Sequence, residues 1–289
     1  MTGPVQTGYA PPSGPPSPPA RGWPRWLIVA TLLWALLLAA LTWLSVRDDG
    51  PTVREQRSLS QAGPVVDRAI GDLVAAAGPD ALVELTPPVV ERGCRVTPFE
   101  DGGTLERVAE LRLTGQEPRA LLDRVAEALP DRYRATVMLT REGTRLRADA
   151  GEFVTVRGQE TEEGTVRFTA DTGCRPLGSG YEATPVTGAD AEADAVTGAL
   201  RALGRPALGE TELVAAPCPG GGSARTARAV AGPGSAATPT SAAAVLAPLA
   251  TGPALVDTPE LYAYRTGPVT VQVHLVADPP SVSASTPCR

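Results

Sequence analysis

Lysine is absent from this 289-residue chain, so all 26 basic side chains are arginines, and histidine occurs once, as His274. A Walker-type phosphate loop needs a lysine, so Gly220-Gly221-Gly222-Ser223-Ala224-Arg225 reads as a turn beside a cysteine. Aromatic residues make up only 4% of the chain, which disfavours a sugar-stacking cleft and leaves Val, Leu and Ala to build the core. No GxSxG or SxxK motif occurs, so serine hydrolases and penicillin-interacting enzymes find no support. CxxC and Cys/His ligand spacings are missing too, which makes the four cysteines poor zinc ligands. No acidic residue precedes Asp48. All 32 carboxylates therefore follow it, against 24 of the arginines, and this part of the chain is about eight charges negative. A nucleic-acid binder needs the opposite sign.

The longest apolar run is Trp26 to Val46, 21 residues without a charge. As a helix it spans roughly 31 Å, close to the hydrocarbon thickness of a bilayer. It reads as a transmembrane helix. Trp23, Trp26 and Trp43 fall near its ends, where an aromatic belt belongs. A cleaved signal peptide fits less well, because its apolar region is shorter and small residues mark its cleavage site. Here Thr42-Trp43-Leu44-Ser45-Val46 places bulky residues there. Residues 1–25 hold seven prolines in the first twenty and no acid, and are expected to be a disordered cytoplasmic tail. PxxP matches such as Pro12 to Pro15 and Pro15 to Pro18 fit a proline-recognition ligand, with a plain flexible tail the simpler reading. Positive charge is nearly even on the two sides of the run. The short tail on one side and the cysteine-containing mass on the other orient it, with the N-terminus inside.

After a juxtamembrane linker (47–63), the same order of elements occurs twice: helix, strand, Cys, Gly-Gly turn, strand, helix, strands, Cys. In the first half (64–176), Pro64–Ala77 and Pro118–Leu129 carry helical stripes. Ala81–Leu85, Thr104–Thr114, Tyr133–Thr140, Thr144–Asp149, Phe153–Arg157 and Thr165–Thr169 read as strands. After an interdomain linker (177–190), the second half (191–289) offers helices at Ala191–Leu203 and Ser241–Leu249. Its strands fall at Thr211–Ala215, Ser223–Ala231, Leu261–Arg265, Val269–Val276 and Ser281–Thr286. The expected fold class is α+β: one N-terminal transmembrane helix, then two small tandem domains, each an antiparallel sheet with two helices.

Four cysteines allow three pairings. The repeat selects Cys94 with Cys174 and Cys218 with Cys288, separations of 80 and 70 residues, so that each domain is closed by a disulfide. Loop-closure entropy alone then stabilises each half by roughly 4–5 kcal/mol. Thiols so paired belong in an oxidising compartment, outside the membrane. The stretches Thr165 to Pro176 and Ser281 to Cys288, hairpins closing on a cysteine, resemble the ends of actinobacterial exported envelope proteins and lipoproteins. The all-arginine, Gly-, Pro- and Ala-rich composition is similar to that of high-GC actinobacterial genomes. The resemblance implies envelope location and disulfide use. It carries no site residues.

Candidate chemistry is thin. In Val269-Thr270-Val271-Gln272-Val273-His274-Leu275, alternation puts the valines on one face and His274 on the other, expected to be solvated. Glu160, Glu162 and Glu163 fall in a hairpin loop, and Asp190, Glu192 and Asp194 in the interdomain segment; neither fits an EF-hand, and both read as solvated. No catalytic residue, cofactor site or metal site is assigned. The expected function is a non-enzymatic, membrane-anchored envelope component of the plasma membrane that binds or scaffolds a protein, wall or lipid partner. Alternatives are an extracytoplasmic hydrolase using carboxylates, and a subunit that regulates a membrane complex through the anchor helix.

Overall fold

The computed structural model describes residues 25–48, 57–161, 164–183, 185–233, 239–276 and 279–288. They fall into two units, Met1–Gly50 and Pro51–Arg289. Residues 1–24 of the Pro-rich tail and residues 49–56 of the juxtamembrane linker lie outside the described residues.

In the first unit, α1 (Arg25–Asp48) runs 24 residues, about 36 Å of helix. Apolar side chains along it are exposed, Leu32, Trp34, Leu36 and Leu41 among them. The helix is long and apolar enough to cross a membrane, as an anchor or as a signal segment. Its threonines suit that setting. The Thr31 hydroxyl donates to the Leu27 carbonyl at 2.6 Å and Thr42 to that of Leu38 at 2.7 Å, so neither hydroxyl needs water.

The second unit opens with α2 (Leu59–Ala77). It starts five residues before the expected Pro64, because Ser58 and Gln61 form a capping box. The Gln61 amide donates to the Ser58 hydroxyl, and the Ser58 amide to the Gln61 side chain. Next come β1 (Ala81–Leu85), β2 (Val89–Thr97), β3 (Glu100–Leu113), α3 (Pro118–Ala128), β4 (Thr136–Thr140), β5 (Gly143–Asp149), β6 (Thr155–Glu160) and β7 (Val166–Asp171). These strands form one antiparallel sheet in the order β1-β3-β7-β6-β5-β4, with β2 added as a hairpin on β3. Alternation sends Leu105, Leu111, Leu146, Val156 and Phe168 to the face covered by α2 and α3, where they meet Ile70, Leu73, Leu122 and Val125.

A second sheet follows, from α4 (Asp190–Ala202), β8 (Glu212–Pro217), β9 (Ser223–Val230), α5 (Pro239–Leu246), β10 (Val256–Asp257), β11 (Leu261–Thr266), β12 (Val269–His274) and β13 (Ser281–Thr286). Its order is β8-β9-β13-β12-β11-β10. Set against the first sheet, β8 takes the place of β1, β9 of β3 and β13 of β7, and the remaining three strands follow suit. The repeat seen in the order of elements is thus a repeated strand topology, with β2 as the one extra strand in the first sheet. Cys94 bonds Cys174 and Cys218 bonds Cys288, with Cα–Cα distances of 6.0 and 5.6 Å.

One expected feature differs. Gly102-Gly103 is no turn; it lies within β3. Gly103 exchanges backbone hydrogen bonds with Arg175 (2.9 and 3.0 Å). A Cβ on Gly102 would sit 2.2 Å from the Arg175 carbonyl oxygen. These glycines let the chain that follows Cys174 run beside β3. In the second half the glycine run is a turn, with Gly221 and Gly222 at positive φ between β8 and β9.

The two halves share their packing. Val214, Ala216, Ala224 and Cys288 of the second half belong to the core built on α2. At Gly71 the helix lies directly on the β8 backbone, where an added Cβ would come within 1.7 Å of the Pro217 carbonyl oxygen.

Candidate functional site

The histidine is where sequence and structure part. Val269, Val271 and Val273 enter the second core as alternation requires. The opposite face of β12, however, is no solvated face. Thr270 and Gln272 are each 5% exposed, and His274 is half-buried. Strand β1 of the first sheet packs there, against β9 and β13. The Gln272 side-chain amide donates to the Val83 carbonyl at 3.1 Å, and the Leu85 amide donates to the Thr226 hydroxyl at 3.1 Å. Polar side chains alternating along a strand suit a polar packing surface as well as water, and period alone cannot tell the two apart.

Glu84 is the centre of this contact. Its Oε2 lies 3.1 Å from His274 Nε2 and accepts from the Ser283 hydroxyl at 3.0 Å, while Arg228 approaches Oε1 at 3.3 Å. Burial pushes the carboxyl up. The bond and charge of His274, the charge of Arg228 and the Ser283 bond together outweigh it, and Glu84 is held below its ordinary range. Ser283 and His274 both address the same carboxylate oxygen. A serine nucleophile needs its hydroxyl on the imidazole, with the acid behind it. The geometry here is that of a clamp between two sheets.

Two more buried acids lie on α2. Asp67 accepts from Arg107 at 2.6 Å and from the Tyr181 hydroxyl at 2.8 Å. Asp72 accepts from Arg132 at 2.9 Å and from the Tyr133 hydroxyl at 2.7 Å. Burial first, then the neighbouring aspartate, pushes both tyrosines well above their ordinary pKa. Arg107 also donates to the Ala215 carbonyl at 3.0 Å, so this charge ties the halves together. Both aspartates border a groove of about 570 Å³ that Arg68, Arg132 and Glu182 also line. Each is already taken up by an arginine and a tyrosine. The sequence signal for these acids, charged residues inside the apolar pattern of α2 and β1, went unread because period-based reading assigns them to the surface.

In the second acidic cluster Asp190 and Asp194 are exposed as expected, and Glu192 is not. Asp190, Glu192 and Asp194 lie in the first turns of α4, and Glu192 is fully buried against Arg225 at 3.0 Å. Glu160 ends β6, while Glu162 and Glu163 lie outside the described residues. Among the described residues no group of three or more His, Cys, Asp or Glu side chains is placed to hold a metal ion.

What remains is an exposed surface. The face of the first sheet away from α2 and α3 carries arginines on adjacent strands. Arg147 stands directly opposite Arg157, and Arg145 opposite Gln159, which in turn faces Arg167. Arg145 pairs with Glu142, and Arg167 with Glu110 at 2.7 Å. The side chains of Arg147 and Arg157 have no hydrogen bond or ion pair among the described residues. Like charges directly opposite across strands are destabilising, so this pair costs the fold something. Beside it an open pocket of about 490 Å³ is lined by Arg134, Thr136, Met138, Arg147, Phe153 and Thr155. The linear sequence gives no signal for this cluster, because its arginines alternate with core residues and sit in an acidic chain.

The chain matches no protein-family model, no curated protein and no solved structure.

Proposed function

We propose that this protein is a non-enzymatic, membrane-anchored component of a bacterial cell envelope, its disulfide-closed part outside the plasma membrane, that binds or scaffolds another envelope component. One observation carries the binding reading. The buried carboxylates Glu84, Asp67, Asp72 and Glu192 are all engaged by partners inside the fold, whereas the exposed side chains of Arg147 and Arg157 stand opposite each other with no ion pair among the described residues. The apolar α1 and the two disulfides support the location, since disulfides persist in oxidising compartments.

Three experiments test this. Protease added to intact spheroplasts is expected to remove the C-terminal mass and spare the proline-rich tail; the reverse pattern overturns the topology. Crosslinking in the native membrane, followed by partner identification, is expected to recover a defined envelope component. Turnover of a cell-wall polymer by the purified protein, abolished by a single carboxylate substitution, would sink the non-enzymatic reading.

A further inference from the structure

We infer that β4 is a docking edge for an extended polypeptide of another protein, one that alternates acidic and apolar residues. This rests on the binding reading above and names the chemistry of the partner.

The edge is open. β4 is the last strand of its sheet, bonded on one side to β5 and backed by α3. Its sequence, Thr-Val-Met-Leu-Thr, has no charge and no proline. Natural sheets guard an exposed edge with lysine, proline, a bulge or a covering segment, since unpaired amides and carbonyls invite another strand. β4 pairs with β5 in unbroken register and shows none of these devices. Leu139 is 75% exposed and Met138 44%.

The two faces specify the occupant. On the outer face, Thr136 and Met138 stand opposite Arg147 and Arg145, and Arg157 lies one strand further in. A strand added at β4 places alternate side chains beside Thr136 and Met138, within reach of those long guanidinium groups; carboxylates satisfy them. Its other side chains fall on the α3 side next to Val137 and exposed Leu139, where apolar groups fit. A second copy of this chain suits the edge poorly. Antiparallel β4–β4 pairing brings a second Arg145 and Arg147 up to the first pair, and like charges accumulate across the junction.

The test uses the full chain in lipid nanodiscs and a fluorescent peptide, acetyl-Glu-Val-Glu-Val-Glu-Val-Glu-amide, followed by anisotropy. Saturable binding that weakens with added salt is expected. The double variant Arg147→Glu/Arg157→Glu should weaken it about tenfold or more, two exposed charge pairs being lost and reversed. Peptide mapping of both disulfides shows that the variant has folded. The same peptide N-methylated at alternate backbone nitrogens should lose binding, because it cannot complete the ladder, and a Lys-Val peptide should not bind. Equal binding by the methylated peptide, or by the double variant, overturns the inference, as does no binding by the native chain. So does a Met138→Cys variant that crosslinks copy to copy without peptide, since the edge then belongs to a second copy. Native-membrane partners insensitive to Arg147→Glu/Arg157→Glu overturn the docking edge and leave the broader binding reading standing. Absence of any partner overturns that reading instead.

Discussion

Glu84 shows how one side chain can join two sheets. It leaves the face of β1 packed on the second sheet and meets His274, Ser283 and Arg228 from three strands of the other half. Removing one partner of such a buried contact leaves the rest unsatisfied, which is why single changes here are costly. Because the carboxyl is held below its usual value of 4.5, the unfolded chain binds more protons than the folded one as pH falls through that range. The stabilisation is complete above the unfolded pKa and is lost on acidification. Glu84→Gln should therefore cost about 1–3 kcal/mol at pH 7, and the gap to the native chain should close toward pH 3. Chemical denaturation at a series of pH values measures this. A gap that stays constant from pH 7 to 3 would show that the charge of Glu84 is not what holds the contact.

Among the elements, the disulfides invite a direct comparison. They close loops of 80 and 70 residues, a difference that changes loop entropy very little, so each is worth about 4–5 kcal/mol on that ground alone. Their surroundings differ. Cys94 sits half-exposed on the added hairpin strand β2, whereas Cys288 is 6% exposed within the core built on α2. Replacing Cys218 and Cys288 by serine should thus destabilise more than replacing Cys94 and Cys174, by about 1–3 kcal/mol, since a buried hydroxyl at position 288 joins the lost cross-link. Equal denaturation midpoints for the two double variants would argue that loop entropy is the whole effect. The pairing itself was legible in the sequence, because the repeat put one cysteine near the start and one at the end of each half. Most helices and strands were legible too, from period and turn chemistry. The β2 strand was not, since Val89-Val90-Glu91-Arg92-Gly93 lacks alternation and follows two prolines. Nor was the Gly102-Gly103 contact, where glycine marks a close approach that only the distant Arg175 reveals. The candidate edge was half legible: β4 was expected as a strand, but its place at the end of the sheet depends on long-range pairing.

At the scale of the molecule, the repeat topology leads one to expect two independent domains, and the packing between them argues otherwise. Tandem domains usually meet through modest polar contacts and unfold separately. Here the contact is polar in part, through Glu84, Gln272, Ser283 and Arg107. Yet it also carries Val214, Ala216, Ala224 and Cys288 into the core around Ile70 and Leu73. It is close enough that Gly71 has no room for a Cβ. Opening it would expose apolar surface and strand the buried Arg107–Asp67 pair without its carbonyl partner, a penalty that couples the halves. The second unit should therefore unfold in one cooperative calorimetric transition, its van't Hoff and calorimetric enthalpies agreeing. Gly71→Ala, which drives the α2 backbone off β8, is expected to lower the midpoint and split the transition in two. Two resolved transitions in the native chain would mean that the halves are separate domains in contact, and that the docking edge on the first sheet could be studied apart from the second.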